Sequence, residues 1–341
     1  MKNKNIVIAL AIMFSSYYAS AQMRIVCIGN SITQGSGTKK FDGSWEYSYR
    51  PWLWDKLKTD GFNVDMVGFH ANYFGEDSQN PAIFPSNNGT FDRDCEAYYG
   101  INTSNFLNGD SYTAWTGKAL PKFSDRINDP TKGYTPDFAL LHLGTNDADS
   151  TAALLNLTKN NIREVIKVLR AKNPKVVILL AKLITGWRKI NQEVDGLCVE
   201  LSTATSPVIA VDLVTGFIND PGLSGTMTYD WVHPNKLGQL SMMKGFYKAL
   251  VANLNDAVKP SLPKNLTISE VQQNNLNLTW NLGTDNYGIK SYEVYANNKL
   301  VSTLTNKPKF PLIITNLNAG DRKSTRLNSS HSTLSRMPSS A

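Results

Sequence analysis

Apolar strand-like runs alternate with helix-like segments between residues 24 and 254, and this alternation restricts the possible folds more than any other feature of the sequence. The predicted strands are Arg24–Ile28, Val64–Gly68, Phe138–Leu143, Val176–Leu180 and Val208–Val211. The predicted helices are Trp45–Thr59, Ala152–Ala171, Gln192–Ser202 and Lys236–Leu254. Strands that alternate with helices form parallel sheets whose right-handed crossovers cover both faces. We therefore expect an α/β domain, three-layered and doubly wound around a parallel five-stranded sheet.

The two ends of the chain differ in composition from the segment between them. Residues 1–21 have the pattern of a secretory signal, with two lysines, an apolar stretch and the small residues Ala19-Ser20-Ala21 at a cleavage site. Residues 321–341 are rich in serine and arginine without hydrophobic periodicity, and they resemble a translated adapter sequence. A native disordered tail is the alternative. We expect a secreted or periplasmic protein whose mature chain begins near Gln22.

The net charge of +7 comes mostly from these two ends. They hold six basic residues and one acidic residue, so the chain between them is close to neutral. Because nucleic-acid binding requires a basic footprint, we expect no nucleic-acid partner. The apolar stretch of the signal is too short to span a bilayer, and we expect no stable membrane association.

The chain has three cysteines and four histidines, with no Cys-x-x-Cys pair and no cluster of histidines. Zinc sites usually show such spacings. We therefore expect neither a metal nor another cofactor.

A second region follows a proline-containing linker at 255–262, and there the hydrophobic period changes to two. Leu276, Leu278 and Trp280 alternate with polar residues, as half-exposed strands do. Residues 263–320 resemble a fibronectin type III module that lacks its last strands. The tail after residue 320 has no alternating pattern to replace them. The expected order is thus signal, α/β domain (22–254), linker, truncated β-sandwich module and tail.

Three short polar motifs lie at the ends of predicted strands or before the last helix. Gly29-Asn30-Ser31 follows the first strand, Gly144-Thr145-Asn146-Asp147 follows the third, and Asp230-Trp231-Val232-His233 precedes the last helix. Open α/β sheets keep their sites at the carboxyl edge of the strands. We therefore expect these motifs to form one site.

The three motifs contain the groups that nucleophilic catalysis by serine needs. A hydroxyl such as that of Ser31 needs an adjacent base. By elimination among the histidines, His233 is the best base, and Asp230 lies three residues before it. The side chain of Asn146 could donate to an oxyanion. Each residue also has an ordinary interpretation, since Ser31 could cap a helix and Asn146 could belong to a simple turn.

In combination, the motifs resemble those of the SGNH, or GDSL-type, hydrolase superfamily. Its Gly-Asp-Ser block is matched at 29–31, with Asn30 where the family usually has aspartate, and its Gly-x-Asn-Asp and Asp-x-x-His blocks follow in the family's order. The resemblance covers about residues 24–254 and implies a flavodoxin-like fold. It also implies an esterase in which Ser31 attacks the ester, His233 transfers protons and Asp230 orients His233.

The segment 91–100 resembles the Phe-Asp…His-Glu-Gly-x-x-Gly stretch of secreted carbohydrate esterases of family three. This resemblance aligns Gly100 with the glycine of the oxyanion hole, although Cys95 and Ala97 replace the usual histidine and glycine. It implies that the Ser31 N–H, the Gly100 N–H and the Asn146 side chain bind the oxyanion. The implied substrate is an acetylated carbohydrate such as acetylxylan.

Aromatic residues near these motifs could bind sugar rings. Tyr99, Trp115 and Trp231 are the candidates, with ordinary core packing as the alternative for each. We expect a secreted serine esterase that removes acyl groups, acetyl above all, from oligo- or polysaccharides. The alternatives are a lipid or thioester hydrolase of the same superfamily, which would need an apolar acyl channel, and a non-catalytic carbohydrate-binding protein.

Overall fold

The structure of the protein is a computed structural model. The structure describes residues 22–37, 40, 46–73, 83–109, 119–254, 261–270, 272, 275–283, 291–296, 299–305, 309–315 and 325–330. The predicted signal, most of the linker and Trp115 lie outside the described residues.

The centre of the first domain is a parallel sheet. Its strands are β1 (Met23–Gly29), β2 (Val64–Val67), β3 (Glu96–Ala97), β4 (Phe138–His142), β5 (Val177–Ala181) and β6 (Val208–Val211). The strand order is β2-β1-β4-β5-β6, and β3 pairs with β1 beyond the end of β2. All neighbours are parallel, so the predicted five-stranded sheet is confirmed. The two-residue β3 extends it, and a strand of that length leaves no periodic pattern in a sequence.

Helices cover both faces of this sheet. They are α1 (Ser31–Gln34), α2 (Arg50–Thr59), α3 (Thr103–Asn108), α4 (Phe123–Ile127), α5 (Ala152–Lys172), α6 (Ile190–Leu201) and α7 (Lys236–Ala252). Alternate residues of β1 belong to two hydrophobic clusters: Ile25 and Cys27 pack with α2 and α7, and Val26 and Ile28 pack with α3 to α6. The predicted three-layer arrangement is confirmed.

One predicted helix begins later than its sequence pattern indicated. The segment expected to be helical from Trp45 becomes helical only at Arg50. Ser48 has a φ of 71°, which interrupts a helix. Pro51 lies in the first turn of α2, where its missing N–H costs nothing.

The C-terminal region forms two antiparallel sheets. Its strands are β7 (Lys264–Ser269), β8 (Leu276–Asn281), β9 (Ser291–Ala296), β10 (Lys299–Thr305), β11 (Leu312–Ile314) and β12 (Thr325–Ser330). The sheet orders are β11-β8-β7 and β10-β9-β12. Leu278, Trp280 and Tyr292 are buried in the shared core. The likeness to a fibronectin type III module stays a prediction.

The strand β12 corrects one expectation about the tail. No alternating pattern was found after residue 320, yet Thr325–Ser330 pairs antiparallel with β9 along its whole length. Pairing between strands uses backbone N–H and C=O groups, which every non-proline residue has, so it can occur without a hydrophobic alternation. Whether this tail is native stays a prediction.

The described residues contain neither a membrane-spanning helix nor a cluster of metal-binding side chains. No helix among them is long and apolar enough to cross a membrane. No group of three or more histidine, cysteine, aspartate or glutamate residues among them could hold a metal ion.

His142, the last residue of β4, is a buried histidine that makes the fold sensitive to acid. Its Nε2 accepts a hydrogen bond from the Ile184 N–H at 3.2 Å, and the side chain is inaccessible to solvent. Burial lowers the pKa of His142 from 6.5 to about 4. The unfolded chain therefore binds a proton at a higher pH than the folded chain does, and protonation favours unfolding.

We expect the thermal unfolding temperature to fall as the pH is lowered from about 6.5 to 4, and to fall less steeply in His142→Gln. The amide oxygen of glutamine can still accept the Ile184 N–H but does not titrate. Each unit of pKa shift corresponds to about 1.4 kcal/mol of stability, present above pH 6.5 and lost towards pH 4. Calorimetry between pH 4 and 8 measures the difference. Parallel curves for the two proteins would contradict the assignment.

Candidate active site

The loop after β1 presents Ser31 at the carboxyl edge of the sheet. A Cβ at Gly29 would lie 2.8 Å from the backbone oxygen of His142, so only glycine fits there. Asn30 is the N-cap of α1, and its Oδ1 accepts the Ile32 N–H at 3.1 Å. The capping interpretation of Ser31 is therefore wrong, because Asn30 fills that role as an aspartate could. In the described part of the chain, the Ser31 N–H has no hydrogen-bond partner.

Ser31, His233 and Asp230 form a continuous series of hydrogen bonds. His233 Nε2 lies 2.9 Å from Ser31 Oγ, and His233 Nδ1 lies 2.7 Å from Asp230 Oδ2. The other carboxylate oxygen, Oδ1, accepts the backbone N–H of His233 at 2.7 Å and that of Val232 at 3.2 Å. Because the carboxylate only accepts, Nδ1 carries the proton, and Nε2 is free to accept the serine proton.

The environment of Asp230 favours its ionised form. Burial by itself would raise the pKa of Asp230, but the hydrogen bonds from the backbone and side chain of His233 outweigh burial and lower it. An ionised carboxylate at this position holds the imidazole in one tautomer. It also stabilises the imidazolium that forms when the serine loses its proton.

A tight turn places Gly100 beside the end of β1. The Ile101 N–H donates to Tyr98 O at 3.2 Å and closes the turn, while the Tyr98 N–H donates to Gly29 O at 3.1 Å. Gly100 occupies the third position with a φ of 72°, which a type II turn requires and which glycine adopts without strain. Within the described ranges, the Gly100 N–H makes no hydrogen bond. It is therefore available to a ligand.

A buried ion pair stabilises this turn. Arg126 Nε and the Tyr98 hydroxyl both donate to Glu96 Oε2 at 2.9 Å, and the side chains of Arg126 and Glu96 are inaccessible to solvent. Arg126 also donates to Phe106 O at 3.1 Å. Separating such a pair would leave an uncompensated buried charge, which costs free energy. The pair therefore holds Glu96 and Tyr98, and with them the turn, against Arg126 of α4.

The departure from the family pattern at Cys95 has a structural counterpart. Cys95 Sγ lies 3.7 Å from His70 Nε2, and the two residues form an isolated antiparallel bridge. Although position 95 lacks a histidine, an imidazole from the segment after β2 therefore reaches this part of the site.

Asn146 lies in an anchored loop after β4. Its Nδ2 donates to Ile101 O at 2.9 Å, which leaves the second hydrogen of the amide for another acceptor. The next residue, Asp147, is buried, and it accepts the Thr103 N–H at 2.9 Å and the Thr158 hydroxyl at 3.2 Å. Burial raises the pKa of Asp147, and the hydrogen bonds from Thr103 oppose that effect. The Asn146 side chain thus contacts the turn of Gly100 rather than its own turn.

The predicted aromatic residues are only partly brought to this site. The ring of Tyr99 is nearly parallel to that of His233, with 6.0 Å between the ring centroids and 7° between the planes. Trp231 is 51% exposed and has a φ of 71°, which is rare for a bulky residue. Trp115 lies outside the described residues.

Asn219, which no sequence motif marks, connects the loops of two exposed tryptophans. Its Nδ2 donates to Ile184 O at 2.8 Å and to Trp231 O at 3.5 Å. The segment that begins at Ile184 also carries Trp187, which is 56% exposed. Asn219 thus joins the loops of Trp187 and Trp231 on the side of the site occupied by His233. No local pattern marks an asparagine with this role.

A serine hydroxyl in contact with a base that is itself oriented by a carboxylate defines the class of serine-type hydrolases. The chain belongs to the GDSL-like lipase/acylhydrolase family, whose family model matches residues 25–246. All three motifs lie inside the match. The description of the family names lipases and acylhydrolases.

Two solved structures are similar to this chain at low sequence identity. A carbohydrate esterase of family 3 from Talaromyces cellulolyticus is 21% identical, with 67% of this chain and 97% of that chain covered and a TM-score of 0.46. A family 3 carbohydrate esterase from Clostridium thermocellum is 21% identical, with 67% of this chain and 94% of that chain covered and a TM-score of 0.43.

Curated relatives match only a short stretch. A chitinase of Paenibacillus xylanexedens is 44% identical over 48 residues, which are 14% of this chain and 9% of that protein. Chitinase D of Niallia circulans is 46% identical over 55 residues, which are 16% of this chain and 10% of that protein. The chain thus spans about a tenth of the length of these relatives. Matches of this length fit an accessory module.

Proposed function

We propose that the protein is a secreted serine esterase that hydrolyses acyl esters of carbohydrates, with acetyl as the preferred acyl group. The observation that carries this proposal is the series of hydrogen bonds from Ser31 through His233 to Asp230. Export is part of the proposal because residues 1–21 have the pattern of a signal.

In the proposed reaction, Ser31 Oγ attacks the carbonyl carbon of the ester while His233 Nε2 takes the hydroxyl proton. The tetrahedral intermediate carries a negative oxygen. The N–H groups of Ser31 and Gly100 and the second amide hydrogen of Asn146 would donate to it.

Collapse of the intermediate breaks the bond to the sugar oxygen, and His233 protonates that oxygen as it leaves. The acyl group then remains on Ser31. A water molecule, deprotonated by His233, attacks the acyl-enzyme, and a second tetrahedral intermediate releases the carboxylic acid and returns the proton to Ser31. Asp230 stays ionised throughout and stabilises the imidazolium.

The exposed aromatic side chains support a carbohydrate as the alcohol component. Trp231 and Trp187 expose about half of their surface, and Tyr99 lies against the ring of His233. An exposed indole covers the apolar face of a sugar ring and keeps its N–H available for a hydroxyl. The positive φ of Trp231 is a strained conformation, and such strain concentrates at functional sites. These features favour a sugar over a long acyl chain.

We expect acetylated xylo-oligosaccharides and p-nitrophenyl acetate to be hydrolysed, with p-nitrophenyl octanoate far slower. Trp231→Ala should raise KM for the oligosaccharide by about three- to tenfold, because it removes one aromatic contact with the sugar. The KM for p-nitrophenyl acetate, which has no sugar, should change far less. Val199→Ala on α6, which removes another exposed apolar side chain, is the matched control.

The measurement is kcat and KM for each ester with each protein. Octanoate turned over faster than acetate would support the lipid hydrolase instead. Binding of the oligosaccharide without any turnover would support the non-catalytic carbohydrate-binding protein.

A further inference from the structure

A chain of hydrogen bonds leads from the turn of Gly100 into the fold through a buried glutamine. The Tyr99 N–H donates to Gln34 Oε1 at 2.7 Å. Gln34 Nε2 in turn donates to Asn72 O at 3.2 Å. Gln34 is the last residue of α1, the short helix that begins at Ser31, and its side chain is inaccessible to solvent. One side chain thus connects the nucleophile's helix to the turn.

An imidazole completes this chain and closes it into a ring. The Asn72 N–H donates to His70 Nδ1 at 3.2 Å, and His70 Nε2 lies 2.7 Å from Ala97 O. Because a carbonyl oxygen only accepts, Nε2 carries the proton and Nδ1 is the acceptor. Ala97 is two residues from Tyr99, so the backbone of the turn closes the ring.

This ring of hydrogen bonds determines which atoms of Gln34 and His70 must donate and which must accept. Gln34 must accept at one atom and donate at another, which an amide does and a carboxylate does not. His70 must be neutral, because a protonated imidazole cannot accept the Asn72 N–H. Burial lowers the pKa of His70 to about 4; Glu96 opposes this effect, and Arg50 and Arg126 add to it.

Other groups around the imidazole leave its neutral form in place. The ring of Tyr98 lies 4.8 Å from that of His70, measured between centroids, and Cys95 Sγ lies 3.7 Å from Nε2. Besides Glu96, a second carboxyl group, that of Asp94, interacts electrostatically with His70. Burial raises the pKa of Asp94 to about 6. The proton arrangement that the ring needs is therefore the one that prevails at neutral pH.

We propose that Gln34 and His70 are positioning residues of the oxyanion hole, which together fix the Gly100 N–H relative to the Ser31 N–H through this ring. This inference rests on the proposed function, because it assigns both residues to the transition state of ester hydrolysis. Donors held in place before the reaction stabilise an oxyanion far better than donors that must first be ordered. A turn displaced by about 1 Å would lose much of that stabilisation.

The test breaks the ring of hydrogen bonds at one side chain at a time, in the full-length protein. Gln34→Glu keeps the acceptor for Tyr99 and removes the donor to Asn72 O. His70→Gln keeps an N–H donor and loses the acceptor for the Asn72 N–H. His142→Gln is the matched control, because it removes another imidazole with a strongly lowered pKa that is outside the ring.

We expect kcat for p-nitrophenyl acetate to fall about 10- to 100-fold in both ring variants, with KM within about twofold of wild type. The affinity for phenylboronic acid, which forms a tetrahedral adduct with serine, should fall by a similar factor. His142→Gln should keep its kcat, and the unfolding temperature of each of the three variants is measured beside it. If one ring variant does not fold, the other decides.

The outcomes separate this inference from the proposed function. If the wild-type protein hydrolyses the ester and both ring variants keep the same kcat, the inference is wrong and the proposed function stands. A fall in kcat that His142→Gln reproduces at equal loss of stability also overturns it, because the effect would then be structural. Absence of hydrolysis of any ester by the wild-type protein overturns the proposed function and the inference together.

Discussion

Ser31→Ala and His233→Ala should each reduce kcat for acetyl esters by a factor on the order of 10⁴ to 10⁶. The hydroxyl of Ser31 lies 2.9 Å from His233 Nε2, so either substitution removes one member of a single proton-transfer unit. The double variant should be little worse than either single variant, because groups that act as a unit are not additive. Hydrolysis of p-nitrophenyl acetate by purified proteins measures the effect.

Circular dichroism of both variants provides the control for this experiment, since neither side chain belongs to the hydrophobic clusters of the core. A folded Ser31→Ala protein that retained more than roughly a tenth of wild-type kcat would rule out the serine mechanism.

Asn146→Ala should lower kcat by about 10²- to 10³-fold with little change in KM. The amide of Asn146 has one hydrogen on Ile101 O, and the other would bind the oxyanion, whose charge exists mainly in the transition state. The matched control is Asn87→Ala, which removes another exposed turn asparagine from outside the site. A rise in KM with unchanged kcat would make Asn146 a substrate-binding residue instead.

The sheet and the three site motifs could be predicted from the sequence for one physical reason. Buried parallel strands must be apolar along their length, so the polar residues that follow them mark the edge where they end. Ser31 and Asn146 both follow such runs directly. Because parallel strands all end at the same edge of the sheet, their proximity followed without knowledge of any contact.

The supports of the site could not be predicted, because each depends on a single contact between distant segments. Gln34 bonds Tyr99 and Asn72, and His70 bonds Ala97, with no periodic signal at any of these positions. In the sequence, His70 is one of three histidines other than His233, and no motif distinguishes it. The neutral tautomer of His70 and its position next to the turn depend on contacts with Ala97 and Asn72 that form only in the folded protein.

The sequence by itself determined the elements and the chemical groups: a parallel sheet, a serine and an amide that follow its strands, and an imidazole with its carboxylate before the last helix. These depend on local composition and on the period of hydrophobicity, which a sequence contains. The tertiary structure alone decided the distances, including the 2.9 Å between Ser31 and His233, 202 residues apart in the chain. It also decided that Asn30 rather than Ser31 caps α1 and that the Gly100 N–H has no hydrogen-bond partner among the residues that the structure describes. Such outcomes depend on which partners meet in three dimensions, and local pattern does not specify them.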